Sequence, residues 1–234
     1  MPNRIVLTAT MVTALLSSAL FLGESANAAD RYVTVSGTGT VHVTPDAVRI
    51  DVTTSILANT SVVAQSQLAP ISAAVRSAFL SHGIVAARLS TRSLNNYPQY
   101  NYSDTGSVLI GYKASQSFEA IVTKASTAGS VVDAVVAAGG NNMTVDAVSP
   151  FILDPSASTE SARANAVKSA KAKALSYAKL LGVSLGTVTY LEEASAFSPS
   201  PVVMAMAKSD AGATTVDLGQ QDVTVTVNVR WAIK

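Results

Sequence analysis

The last stretch of the chain alternates without a break. Val223, Val225, Val227, Val229, Trp231 and Ile233 stand against Thr224, Thr226, Asn228 and Arg230. A strand turns successive side chains to opposite faces, so the pattern predicts one half-buried strand spanning roughly 35–40 Å. A helix would scatter the same apolar residues around its circumference and give them no common face. The fold must therefore supply a sheet with one covered face and one polar face, with partner strands drawn from earlier in the chain.

Those partners are legible. Tyr32-Val33-Thr34-Val35-Ser36 alternates in the same way, and Val41-His42-Val43 resumes after Gly37 and Gly39, which together read as a bulge or bend. Thr44-Pro45-Asp46 reads as a turn in which Asp46 bonds its own downstream backbone. Val48, Ile50 and Val52 then alternate against Arg49, Asp51 and Thr53 in a second strand. Further strands are predicted over 89–96, 110–123, 143–153 and 187–192, the first of them leading into an aromatic hairpin.

Three stretches carry helical spacing. The first, 60–82, places Ile71, Val75 and Ala78/Phe79 on one face and stops at Gly83, with Pro70 expected to kink it or mark the start of its regular half. The second, 129–138, turns Val132, Val135 and Val136 inward and closes at Gly139-Gly140. The third runs from Thr159 to Leu181 with a stripe of Val167, Ala170, Ala174, Tyr177 and Leu181. Small residues in that stripe let a helix lie close to a sheet. Glu160 and Lys179 suit the two ends of its dipole, and Gly182 stops it. The order β-β-α-β-β-α-β-α-β-β argues for an α+β fold with largely antiparallel sheets. The aperiodic Ser/Ala/Pro stretch 195–215 reads as a flexible loop.

The beginning of the chain reads differently. Arg4 is followed by an uncharged run from Ile5 to Leu22, and then by Ala26-Asn27-Ala28, with small residues where a signal peptidase looks for them. We read 1–28 as a signal peptide and 29–234 as the exported domain. An uncleaved anchor is the alternative, and the small residues favour removal. Cleavage takes away Arg4 and Glu24 and leaves the net charge at +1. Such a chain has no global field for nucleic acid or anionic lipid, and no integral membrane segment follows the signal. Hydrophobic residues make up 48% and charged residues 13%, which argues for a folded domain. The absence of cysteine excludes disulfides, thiolate metal sites, a cysteine nucleophile and a lipidated N-terminal cysteine. Stability must come from core burial and subunit contacts.

Several segments together carry a resemblance. They are Val33-Thr34-Val35-Ser36-Gly37-Thr38-Gly39, Pro45-Asp46-Ala47-Val48-Arg49-Ile50, Gly83-Ile84, Leu89-Ser90-Thr91, Tyr97-Pro98-Gln99-Tyr100 and Gly111-Tyr112-Lys113-Ala114-Ser115. The helix from Asn165-Ala166-Val167-Lys168 through Ala172-Lys173-Ala174 to Gly182 follows, then the final Val/Thr strand. In order and spacing they resemble the SIMPL-domain family of exported bacterial proteins, which includes periplasmic immunogenic proteins. The resemblance implies two intertwined α+β subdomains with mainly antiparallel sheets, one similar to a ferredoxin-like plait, and a tendency to form homo-oligomers. It also implies a connection with envelope stress, including oxidative stress, and no agreed catalytic residues. The chain departs from the family at Leu218-Gly219, where Pro-Gly is usual, and at Pro70.

Candidate chemistry is sparse. His42 lies in a strand and His82 in a last helical turn, with no clustered partners for a metal or a triad. Ser176 and Lys179 match S-x-x-K without the accompanying S-D-N and K-T-G elements. Lys179 is better explained, with Lys168 and Lys171, as a solvated face. Gly37-Thr38-Gly39 lacks the third glycine and following helix of a phosphate loop, and Glu192 and Glu193 point to opposite faces of a strand. Met204-Ala205-Met206 offers two soft copper ligands, but docking of an apolar loop explains them better. Tyr97, Tyr100, Tyr102 and Tyr112 sit in a segment otherwise made of Asn, Gln, Ser, Asp and Gly. Rigid rings with polar tips in a charge-poor setting suit a contact surface. They also suit sugar rings, or simple cross-strand pairing within the hairpin.

The expected protein is thus non-enzymatic, without metal or cofactor, and exported to the periplasm, the cell wall or the medium. It self-associates through Tyr97, Tyr100, Tyr102, Tyr112, Met204 and Met206. The alternatives are a binding module that uses the tyrosine hairpin for a glycan or peptide, and a hydrolase with a non-local site.

Overall fold

The computed structural model describes residues 31–103, 106–194, 200–202 and 214–234. The predicted signal peptide, Met204 and Met206 lie outside them, as does most of the expected loop 195–215. Within that loop Ser200–Val202 form a short strand, β7, paired with the last strand. The elements run β1 (Tyr32–Val43), β2 (Ala47–Ala58), α1 (Ser61–Ser81), β3 (Leu89–Ser103), β4 (Gly106–Val122), α2 (Ala128–Gly139), β5 (Met143–Phe151), α3 (Ser156–Leu181), β6 (Leu185–Glu193), β7 and β8 (Gln220–Ile233). Apart from β7 this is the order that the alternation and the breakers predict.

Two four-stranded antiparallel sheets result. β3-β4-β2-β5 is the spatial order of one. Read along the chain, its segment is βαββαβ with the first strand between the third and the fourth, the ferredoxin-like plait. Helices α1 and α2 cover one face. Val48, Ile50 and Val52 of β2 meet Val75 and Phe79 of α1 and Val131 and Val135 of α2 there, with Phe118 of β4. Each such side chain contributes about 2 kcal/mol by leaving water. Within this core the buried Thr54 hydroxyl lies 2.9 Å from that of Ser72 and donates to the Gln116 carbonyl at 3.1 Å.

The other sheet joins the two ends of the described chain. β8 lies between β1 and β6, and Val33 pairs with Trp231. The plait is inserted between β1 and the α3–β6–β8 segment, so the two subdomains are intertwined. Hydrogen bonds tie them: Gln221 Nε2 donates to the Pro150 carbonyl at 2.8 Å, Asp46 accepts the Leu153 N–H at 2.8 Å, and Asp133 of α2 accepts the Thr214 N–H at 3.3 Å. Asp46 therefore clamps a distant segment, not its own downstream backbone.

The fold corrects other details. Gly37 and Gly39 make no bulge: β1 pairs with β8 in unbroken register, and both glycines lie beneath α3. Pro70 lies inside α1, as expected, and is exposed there. An exposed proline gives up its backbone bond where water can satisfy the freed carbonyl. Val136 is exposed, and Val131 takes its expected place in the core. In α3 the buried stripe is Ala162, Ala166, Ala170, Ala174 and Ala178, while Val167, Tyr177 and Leu181 face solvent. The glycines of β1 admit only alanine beneath them, and this fixes which side of α3 turns inward. α3 begins at Ser156, where Asp154 accepts the Ser156 N–H at 3.0 Å. Glu160 consequently lies beyond the first turn and pairs with Arg163. Leu218, in place of the usual proline, packs against the plait core, and Gly219 takes a positive φ of 60°.

Candidate interaction surface

The strand β4 is longer than its neighbour β2. Their pairing ends at Ala58 opposite Tyr112, yet β3 and β4 continue together to Ser103 and Gly106. Beyond Tyr112 the hairpin is thus a two-stranded ribbon, with no third strand beside it among the described residues. The register shifts where Gln99 pairs with Gly111 and Tyr100 with Leu109, so Ile110 is the extra residue of a bulge. Gly111 takes φ +147°, and a Cβ there would stand 2.7 Å from the Ala58 carbonyl. Only glycine lets the ribbon leave the sheet at this point.

The ribbon carries the tyrosines. Tyr97 and Tyr100 are partly exposed and Tyr102 is 77% exposed. The rings of Tyr100 and Tyr102 lie 6.3 Å apart, tilted by 43°. Tyr112 differs from the other three. It packs against Ala64, Leu68 and Ala114 under α1 and is largely a core contact. Val108, Leu109 and Ile110 on the return strand are also exposed, and sequence reasoning passed over them. The signal was available, because three large aliphatic residues in succession cannot all face one covered side of a strand. A two-stranded ribbon is marginal in water by itself, and contiguous exposed apolar surface marks a contact site.

The candidate chemical groups do not converge. His42 Nδ1 lies 2.5 Å from Asp222 across the β1–β8 pair, and His82 caps α1 with Nδ1 at 2.9 Å from the Ala78 carbonyl. Ser176 and Lys179 both lie on the exposed side of α3. Glu193 is bound by Arg163, which also holds Glu160, and the two carboxylates raise the guanidinium pKa further. Glu192 instead acts on Tyr190, whose hydroxyl it pushes above the usual phenol range. On the face of the plait away from α1 and α2, Asp51 stands opposite Glu119, with Arg49 and Arg92 beside them. Burial and then Glu119 raise the Asp51 carboxyl above the ordinary carboxylate range. Among the described residues no group of three or more His, Asp or Glu side chains is placed to hold a metal. No helix among them is long and apolar enough to cross a membrane.

The chain is similar in sequence to known proteins. Over 182 residues the chain is 29% identical to the uncharacterized protein YggE of Escherichia coli (strain K12), covering 77% of this chain and 72% of that one. It is 28% identical over 219 residues to the 26 kDa periplasmic immunogenic protein of Brucella melitensis, covering 86% and 84%. The family model SIMPL, described as protein of unknown function (DUF541), matches residues 33–231, from the start of β1 to the end of β8. By that match, which spans both intertwined subdomains, the chain belongs to the SIMPL family.

Proposed function

We propose that the protein is an exported, non-enzymatic component of the cell envelope that acts by self-association through its projecting hairpin. The observation that carries the proposal is the ribbon beyond Tyr112, with exposed Tyr100, Tyr102, Val108, Leu109 and Ile110 and, among the described residues, no third strand beside it. Aromatic and aliphatic residues of this kind form the anchors of interfaces, and burial against a second copy would remove them from water. A relative named as a periplasmic protein supports the location. The non-enzymatic reading is supported by the setting of these groups: His42 pairs with Asp222 on an exposed sheet face, His82 closes the end of α1, and Ser176 and Lys179 lie on the exposed side of α3. A role in envelope stress is the setting in which such an assembly would act. Glycan stacking on the hairpin is less well served, since the Tyr100 and Tyr102 rings are tilted instead of coplanar.

The test is the particle mass of the exported domain in light scattering across the micromolar range. An oligomer is expected. Tyr100→Ser combined with Tyr102→Ser should lower the mass while the circular dichroism stays unchanged. A wild-type monomer throughout the range overturns the reading.

A further inference from the structure

The face of the β1–β8–β6 sheet away from α3, uncovered among the described residues, holds a second set of aromatic rings that self-association through the hairpin leaves unused. The register places Thr34, Arg230 and Tyr190 in one row across the three strands, with Tyr32 in the next row opposite Ala232. The Arg230 guanidinium lies 4.3 Å from the Tyr32 ring centroid and 5.7 Å from that of Tyr190. Its Nε donates to Thr34 Oγ1 at 3.3 Å. Among the described residues its two terminal nitrogens have no hydrogen-bond partner, and no carboxylate lies within ion-pair distance. Arg163, on the helix behind the same sheet, is held by two glutamates. Arg230 is therefore a guanidinium fork fixed by two rings and a hydroxyl, with its anion-binding edge free.

A cavity of about 360 Å³ opens here, lined by Arg31, Tyr32, Thr189, Tyr190, Arg230 and Ala232. The strand that forms its rim is irregular, with register shifts on both sides of Val188. Such irregularities re-aim side chains. From this cavity the same face continues as paired uncharged side chains: Ser36 beside Asn228, Thr38 beside Thr226, Thr40 beside Thr224. The Thr40 and Thr224 hydroxyls are 3.0 Å apart, and the track ends at the His42–Asp222 pair. From the Arg230 row to the Thr224 row it extends roughly 20 Å.

We propose that this face binds a carboxylate-bearing oligosaccharide, with Arg230 taking a carboxylate, Tyr32 and Tyr190 taking sugar rings, and the threonine track taking hydroxyls. The free fork supplies charge complementarity for a planar carboxylate. Two half-exposed rings beside it suit the apolar faces of pyranoses, which a free phosphate would not use. Glu192 stands one row further along the face, opposite Asn228. Its negative charge opposes densely charged polymers, whereas a sugar chain with spaced carboxylates can leave that row neutral. This inference does not depend on the hairpin.

Isothermal titration of the exported domain with a hyaluronan tetrasaccharide, in which only alternate sugars carry a carboxylate, its methyl ester and dextran sulfate tests the proposal. Binding of the acid is expected, with affinity lower by about tenfold for the ester and for Arg230→Gln. Tyr190→Ala, on an edge strand, should lose a similar factor with unchanged melting, so the test survives if the arginine variant fails to fold. The Tyr100→Ser and Tyr102→Ser variant should bind normally even if its assembly is lost. No binding of the acid, equal binding of the ester, or wild-type affinity in folded Arg230→Gln or Tyr190→Ala overturns the proposal. Dextran sulfate binding as tightly as the acid also overturns it, in favour of a general anion site.

Discussion

Gly37 of β1 and Ala170 of α3 meet almost backbone to backbone: a Cβ on Gly37 would stand 2.6 Å from the Ala170 Cβ and 2.2 Å from the Ala166 carbonyl. Gly39 is held in the same way against Ala162 and Ala166. The closeness lets Lys173 reach over the edge of β1 and donate to the Ser36 carbonyl at 2.8 Å. Sheet and helix are thus joined by small residues on both sides, and an edge strand is covered by the same helix.

Gly37→Ala should be among the most damaging single substitutions in the domain. The added methyl group can be accommodated only by moving the backbone of α3, so a loss of about 3 kcal/mol is expected in urea unfolding. Thr38→Ala, next to it on the open face, should cost less than about 1 kcal/mol. Equal effects of the two would show that α3 does not lie this close.

The buried hydroxyl pair gives a second prediction. Thr54→Val keeps the shape but leaves the Ser72 hydroxyl without Thr54 in a closed core. A loss of about 1–3 kcal/mol is expected. Combining it with Ser72→Ala should recover part of that loss, because neither hydroxyl is then stranded. Denaturant midpoints of the two singles and the double would reveal the coupling.

Asp51 gives a pH dependence whose sign is opposite to that of a paired carboxylate. Its folded-state pKa is raised, so the native state binds the proton more tightly than the unfolded chain does. Its contribution therefore worsens as pH rises from the ordinary carboxylate range through the raised value, and stays unfavourable at neutral pH. Asp51→Asn should raise the melting temperature at pH 7, and the gain should shrink as the solution is acidified through that window. A gain that grows in acid would contradict the burial and Glu119 repulsion given as its causes.

His42→Gln and Ser176→Ala should both be nearly silent. The His42–Asp222 pair is exposed on the histidine side, and such pairs contribute less than about 1 kcal/mol. Ser176 is exposed on α3. Loss of an envelope phenotype in either variant, with melting unchanged, would point to chemistry at that residue.

Much of the architecture can be read from local chemistry. Alternation marks β1, β2 and β8; Gly83, Gly140 and Gly182 mark where the helices give way; and the paired strands between helices point to antiparallel sheets. The tyrosine-rich composition of 97–112 locates the hairpin as well. These signals are legible because each depends on neighbours within a few residues, through backbone geometry and side-chain direction.

What the sequence by itself determined is therefore the order and kind of the elements, and the tertiary structure decided which faces meet. Gly37 and Gly39 look like a break until α3 is laid over them. The alanine stripe of α3 cannot be told by hydrophobicity from the Val167–Tyr177 side, since alanine contributes so little apolar area, and steric fit to the two glycines makes the choice. Tyr32, Tyr190 and Arg230 likewise carry no common motif. They meet because β8 lies between β1 and β6, and that order is set by burial of one sheet face beneath α3, which no local pattern encodes.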